Sequence, residues 1–469
     1  MRRLRQIALA GGLVSLAATA PGCGDNAAAG PDAAPPLCTG GYHVCGGFVR
    51  DADGRALILR GANLAGAHKR PPYFGFHQPA DFARMRDEWD FDAVRFLISW
   101  AAVEPSDGVF DDSYLDAVAM RMQWAEDAGL LVVLDMHQDV YGEGFTSGGG
   151  NGAPGWSCDQ SHYDAFEPAS SWFLNYANDE VIACYDHLWT NDATRGKLVA
   201  AWGHVAARLA AEPAVIGFDA LNEPFWGSYS VQDFEPDLLQ PFYDEVVAAV
   251  RANAPGWVAF LEPASSRNLG VLTNLHTFNL PDVVYAPHAY DTGAEQGMGF
   301  SADRRQGYLD NVRLLAGEAR GIDAALWIGE YGGYGDGIEE YMDAAYDGAA
   351  AVAAGNMLWS YDKGGSYSIL RADGSENAAL MASVVRPYPT RVAGDPVSWV
   401  YDDASGAFSL TLQPDPRITA PTVIALPPRL YPGGADVDCG GCSAEVTTGE
   451  VLLADLPATD QLTVTVTPR

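Results

Sequence analysis

Positive charge is scarce in this chain. Across 469 residues, 28 Lys and Arg stand against 61 Asp and Glu, a formal net charge of −33. A surface of that sign repels phosphate backbones and anionic headgroups, so nucleic acid is excluded as a default partner. Solubility alone accounts for the acidity equally well. Long apolar runs are missing too: the run at 7–20, behind Arg2, Arg3 and Arg5, is too short to span a bilayer, and 1–22 reads as an export signal. Histidine and cysteine are few, at 9 and 7. Cys439-Gly440-Gly441-Cys442 has no second pair to complete a zinc centre, and His137 with Asp139 has no third ligand at suitable spacing. No metal and no cofactor is therefore expected. No short internal repeat is evident.

What is present suits a globular enzyme, with 48% hydrophobic and 11% aromatic residues. Near-continuous Val/Ile/Leu/Phe runs lie at 57–65, 93–100, 130–137, 214–221, 257–262, 283–288, 324–329 and 356–361. Such runs are the mark of parallel strands buried on both faces. Helical stretches at 112–128, 193–211, 233–253, 302–320 and 337–354 separate most of them, and 264–282 is the weakest helical crossover. This alternation predicts an α/β fold, a (β/α)8 TIM barrel over 38–385, with its site at the carboxyl ends of the strands. Two acidic pentapeptides fall at such ends: Leu221-Asn222-Glu223-Pro224-Phe225 and Ile328-Gly329-Glu330-Tyr331-Gly332. Two carboxylates facing each other across a barrel mouth are the minimal equipment for glycoside hydrolysis.

Beyond 386 the pattern turns to short alternating runs broken by Pro, Gly and Asp, which predicts a C-terminal all-β sandwich over 386–469. Its role is open between support for the barrel and carbohydrate binding. At the other end, 23–37 is an Ala/Gly/Pro/Asp tract expected to be a flexible tether. Ala20-Pro21-Gly22-Cys23 resembles a bacterial lipoprotein cleavage box, from which Ala20 and Pro21 depart, so ordinary signal cleavage is the alternative to a lipid anchor. With Cys23 set aside, the remaining cysteines are even in number. Proximity favours the disulfides 38–45, 158–184 and 439–442.

Asn222-Glu223-Pro224 and Glu330-Tyr331-Gly332 look like the acid/base and nucleophile signatures of glycoside hydrolase family 5, a retaining (β/α)8 family. Leu134-Asp135-Met136-His137-Gln138-Asp139, Gly142-Glu143-Gly144-Phe145, Asn63-Leu64-Ala65-Gly66 and Gly152-Ala153-Pro154-Gly155-Trp156 resemble its endoglycoceramidase branch. The resemblance implies an endo-β-glycosidase that parts oligosaccharide from ceramide. Its partners are then a glycosphingolipid or other β-glycoside, and a membrane met through that substrate and, where Cys23 is lipidated, through the anchor. The enzyme would be exported, secreted or lipid-anchored at the bacterial cell envelope.

The same resemblance implies Glu223 as general acid/base, its pKa raised to keep a proton, and Glu330 as an ionised nucleophile. Arg95 would support Glu330, Asn222 would bond the sugar 2-hydroxyl, and His288 and Tyr290 would stand beside the catalytic pair. Trp359 would form a sugar floor and precede a cis peptide, while His137, Asp139, Lys69 and Trp156 would contact the neighbouring sugar. The 140–191 excursion holds ten aromatics and is the expected specificity element, for sugars or for an acyl chain. With the loop at 225–234 it should wall an apolar groove leading from Glu223 and Glu330. Two other readings stay open. One is a family 5 enzyme acting on soluble β-glucan or mannan, or on simple glucosylceramide or steryl glucosides; the other is a non-catalytic glycan binder.

Overall fold

The eight apolar runs pair as a closed parallel barrel in the computed structural model, which describes residues 37–469. The expected export signal, Cys23 and all of the tether but Leu37 lie outside the described residues. In chain order the barrel strands are β1 (Gly61–Leu64), β2 (Ala93–Ile98), β3 (Leu131–Met136), β4 (Val215–Asp219), β5 (Val258–Leu261), β6 (Val283–Tyr285), β7 (Ala325–Tyr331) and β8 (Gly355–Leu358). β8 returns to pair with β1 and close the ring. The main outer helices are α1 (Pro79–Asp87), α2 (Asp112–Asp127), α3 (Asp192–Leu209), α4 (Gln240–Arg251), α5 (Ala302–Gly321) and α6 (Ile338–Ala351). Asp111 and Asn191 start α2 and α3 by accepting from the first free backbone N–H groups. The weak crossover after β5 carries only a turn of 3-10 helix, Ser265–Leu269, before extended chain.

Side-chain alternation builds the site. On β2, Val94, Phe96 and Ile98 pack outward against the helices, so Ala93 and Arg95 point into the barrel. On β3 the inward set is Leu131, Val133 and then Asp135; on β5 it is Val258, Phe260 and then Glu262 beyond the strand end. Apolar side chains thus fill the amino-terminal floor, and polar ones stand above them at the mouth. β7 departs from simple alternation: the register with β8 shifts between Ile328 and Tyr331. That irregularity aims Glu330 into the mouth, as bulges near active sites do.

The C-terminal domain is a two-sheet sandwich, but its boundary differs from the expected one. Three strands from 38–57, assigned above to the barrel, belong to it: His43–Cys45, Phe48–Arg50 and Ala56–Leu57 join a seven-stranded sheet with Tyr388–Val392, Thr422–Ala425, Glu450–Ala454 and Ser443–Val446. They are two or three residues long, too short to show a period. Gly394–Asp402, Ala407–Pro414, Leu462–Pro468 and Ala435–Asp438 form the facing sheet. Tyr346 and Ala350 of α6 pack into the sandwich core and tie it to the barrel. The three expected disulfides, Cys38–Cys45, Cys158–Cys184 and Cys439–Cys442, are formed.

Asp90, in the turn entering β2, carries a buried charge at this junction. It is 5% exposed, its Oδ2 has no hydrogen-bond partner and its φ is +53°. Burial lifts its pKa from 3.8 to about 7, against the pull of Arg86. Because the folded-state value is the higher one, the stability Asp90 contributes is full below pH 3.8 and is lost as pH rises through 7. Asp90→Asn removes the charge and suits the left-handed backbone. Its stabilising effect is expected to grow by about 2 kcal/mol between pH 5 and pH 8. Urea melts at the two pH values measure this, and a gain independent of pH would refute the account.

Candidate active site

Arg95 is the hub of the barrel mouth. Its guanidinium is fully buried and fully engaged. Nη1 donates to Glu330 Oε1 at 2.6 Å and Asn63 Oδ1 at 3.0 Å; Nη2 donates to Asn222 Oδ1 at 3.0 Å and Glu262 Oε1 at 2.9 Å; Nε donates to Asp219 Oδ2 at 3.0 Å. Asp135 Oδ1 lies 2.9 Å from Nη2. An arginine can hold this many acceptors because its fork of donors is rigid and permanently charged. Asn222 is oriented from both ends, since its Nδ2 donates to the Gln138 carbonyl at 3.1 Å.

Glu223 and Glu330 come together as expected. Together with His288 they offer donor atoms all within 4.8 Å of one another. A cation could bridge such a spacing, but these atoms are taken by protein groups. Tyr290 Oη donates to Glu330 Oε2 at 2.8 Å, and Glu223 Oε1 faces Asn268 Nδ2 at 2.7 Å and His288 Nδ1 at 2.9 Å. Oε1 is therefore the oxygen in proton-exchange contact with His288. Glu223 has φ +43°, which is uncommon outside glycine, and its backbone N–H is held by Glu262 Oε2 at 2.8 Å.

The ionisation order of the free site corrects the sequence expectation. Burial disfavours a charged His288, yet Glu262, Glu330 and Glu223 around it hold its pKa well above the ordinary value. Burial likewise pushes Glu223 up, but its hydrogen bond to His288 and the imidazolium charge outweigh this and draw it below the usual value. Burial raises Glu330 against the pull of His288 and Arg95. The proton expected on Glu223 therefore rests on its hydrogen-bonded neighbour. Moving it across the 2.9 Å contact gives a neutral imidazole and a carboxylic acid.

A cleft of about 380 Å³ opens above this pair, lined by Lys69, His137, Asp139, Asn222, Trp359 and Tyr367 among others. Trp359, whose peptide to Ser360 is cis, stacks on His137 with centroids 5.3 Å apart at 15°. Lys69 Nζ lies 4.4 Å from the Trp359 ring centroid and bonds Asp139 Oδ2 at 2.6 Å. Burial opposes ionisation of Asp139, yet the Lys69 ammonium holds it well below the usual carboxylate range. His137 Nδ1 is fixed by Asp135 at 2.7 Å. Trp156 is not in this group. It packs edge-on against Trp100 and donates to the Glu104 carbonyl at 3.0 Å, because its loop folds back over the barrel rim.

Several functional positions went unremarked in the sequence. Glu262 ends β5 just as Glu223 and Glu330 end their runs, and Asp135 and Asp219 are lone charges in apolar strands; these signals were readable. Asn268 sits in the irregular crossover after β5, where no pattern marks it. A second hollow, of about 100 Å³, adjoins the cleft at Glu223 and is walled by Trp172, Phe173, Tyr176, Phe225, Trp226 and Leu269. It lies where the groove was expected, with walls from the 140–191 excursion and the loop after β4, but it is completed by Leu269 from the turn after β5 and by Thr292 and Glu295 from the loop after β6. Trp172 and Phe173 are 47% and 39% exposed on its rim.

Known proteins share this fold. Residues 51–365 match Cellulase (glycosyl hydrolase family 5), and residues 386–467 match the glycoside hydrolase family 5 C-terminal domain. Endoglycoceramidase I of Rhodococcus hoagii (strain 103S) is 27% identical over 438 residues, 87% of this chain and 84% of its own. Endo-glycoceramidase II from Rhodococcus sp. superposes with TM-score 0.80 at 33% identity, over 90% of this chain and 99% of that one. The same enzyme in complex with ganglioside GM3 gives TM-score 0.80 at 32% identity over the same shares. The chain belongs to glycoside hydrolase family 5, where it groups with the endoglycoceramidases.

Proposed function

We propose that this enzyme is a retaining endo-β-glycosidase that releases intact oligosaccharide and ceramide from glycosphingolipids. The observation that carries the reading is the meeting of two unlike hollows at Glu223: a polar cleft for sugar on one side and an aromatic trough for lipid on the other. The similarity to endo-glycoceramidase II, known as a ganglioside GM3 complex and as a lactosyl-enzyme intermediate, supports the same substrate class.

In this reading a Glu330 carboxylate oxygen attacks the anomeric carbon while Glu223 passes its proton to the glycosidic oxygen. Ceramide leaves, and the sugar stays bound to Glu330 as an ester. Glu223, now a carboxylate, takes a proton from water as that water attacks the same carbon. Two inversions give net retention, and the spacing of under 5 Å suits this course, since inverting enzymes hold their carboxyls about 6.5–9.5 Å apart. Asn222 faces the sugar 2-hydroxyl, and Trp359 with His137, Lys69 and Asp139 binds the sugars next to the scissile bond. The reading of 1–22 as an export signal and of Cys23 as a lipidation site supports a location outside the cytoplasm, secreted or lipid-anchored.

The test is product identification from gangliosides, lactosylceramide, cello-oligosaccharides and mannan. Intact β-oligosaccharide and ceramide are expected, with far greater turnover on the lipids. Release of single terminal sugars alone, an inverted anomer by NMR, or preference for the soluble glycans would overturn the reading. Binding without turnover would make the chain a glycan-binding protein.

A further inference from the structure

Glu295 closes a short helical turn, Thr292–Glu295, in the loop after β6. It borders both hollows, a position it shares only with Glu223 and Trp172 among the residues lining the two. The turn is pinned: Asp291 accepts from the N–H groups of Gly293 and Ala294, and Tyr367 Oη donates to the Glu295 carbonyl. The Glu295 carboxyl itself makes no hydrogen bond among the described residues. Burial, with the nearby charges of Glu223 and Glu330, raises its pKa to about 7, so near neutrality it both donates and accepts.

The chemistry of a ceramide-class aglycone states what belongs at this place. Directly past the glycosidic oxygen the lipid carries an amide and a secondary hydroxyl; only then do its hydrocarbon chains begin. Those polar groups must lie where the cleft gives way to the trough, and aromatic walls leave a buried donor unsatisfied at a cost. Ser265, Asn268, Thr292 and Gln296 are the other polar neutral residues at the trough, and Asn268 already donates to Glu223.

We infer that Glu295 is the specificity-determining residue for the polar waist of the aglycone, hydrogen-bonding the amide and hydroxyl of the lipid as it leaves the sugar cleft for the aromatic trough. The inference rests on the glycosphingolipid reading and adds to it a named recognition group.

The test compares two β-lactosides of matched chain length in the same detergent, one with a ceramide aglycone and one with a plain alkyl chain lacking amide and hydroxyl. The readout is the ratio of their kcat/KM values. In Glu295→Leu that ratio is expected to fall about 10- to 100-fold, while Glu295→Gln, which still bonds, keeps it within several-fold of the parent. A ratio unchanged in Glu295→Leu, whether or not the absolute rates fall, overturns the inference and leaves the carboxyl a packing role. The parent enzyme separates the two levels: if it cleaves the alkyl lactoside but not lactosylceramide, the glycosphingolipid reading itself fails.

Discussion

Replacing Glu330 with glutamine is expected to lower kcat about ten-thousand-fold or more on every β-glycoside, with good and poor leaving groups affected alike. An amide matches the carboxylate in shape but cannot form the glycosyl ester. The fold should survive, because Arg95 keeps Asp135, Asp219 and Glu262 as partners when one of its carboxylates becomes neutral. Two measurements check this. Turnover of an activated aryl lactoside should nearly vanish in the variant, and a 2-fluoro lactoside should label the parent on the peptide containing Glu330. A label on another residue, or a variant retaining more than about a hundredth of parental activity, would refute the assignment.

Glu223→Ala is expected to fail in a graded way. Without an acid the natural lipid must leave unassisted, a loss of about a hundred- to ten-thousand-fold. A dinitrophenyl lactoside needs no such help, so its first step should survive and the ester on Glu330 should accumulate, visible as a burst. Azide can enter the space left by the side chain and attack the ester, yielding a β-glycosyl azide. The pH profile should change as well. In the parent, activity rises as Glu330 loses its proton and falls as the Glu223–His288 pair loses the one it shares. The alanine variant should lose the alkaline limb. Equal slowing of activated and lipid substrates, or no azide product, would show that Glu223 is not the acid.

The catalytic pair and the barrel were legible because both rest on local chemistry. A glutamate ending an apolar run at Ala220-Leu221-Asn222-Glu223 can be placed at a strand exit without knowing its neighbours. Arg95 was legible through the family resemblance, and its place on β2 accounts for the role. What escaped depends on how distant segments meet. The shift in β7 that turns Glu330 into the mouth is a relation between two strands, and neither sequence states it. The ionisations of Glu223 and Glu330 depend on burial and on His288, which reaches both from the chain just beyond β6. Trp156 follows a Gly-Ala-Pro-Gly segment that fits a cleft wall as well as a rim, and packing against Trp100 decides the matter. Asn268 and Glu295 lie on irregular loops with no periodicity to expose them.

The sheet that joins segments from before and after the barrel bears on how the molecule is made. Ribosomes deliver the strands at 43–57 before the barrel, yet their neighbour Tyr388–Val392 and the strands paired beyond it follow the barrel. A chain broken off after the barrel leaves Ala56–Leu57 with an open edge and the Tyr346 face of α6 uncovered, a template for pairing with other chains. Loop closure of that length is entropically costly, so this sheet is expected to assemble late. Segments on either side of the barrel therefore act as a completeness check on what lies between them: the apolar seam where Tyr346 and Ala350 meet the sandwich is sealed only once both segments have been made.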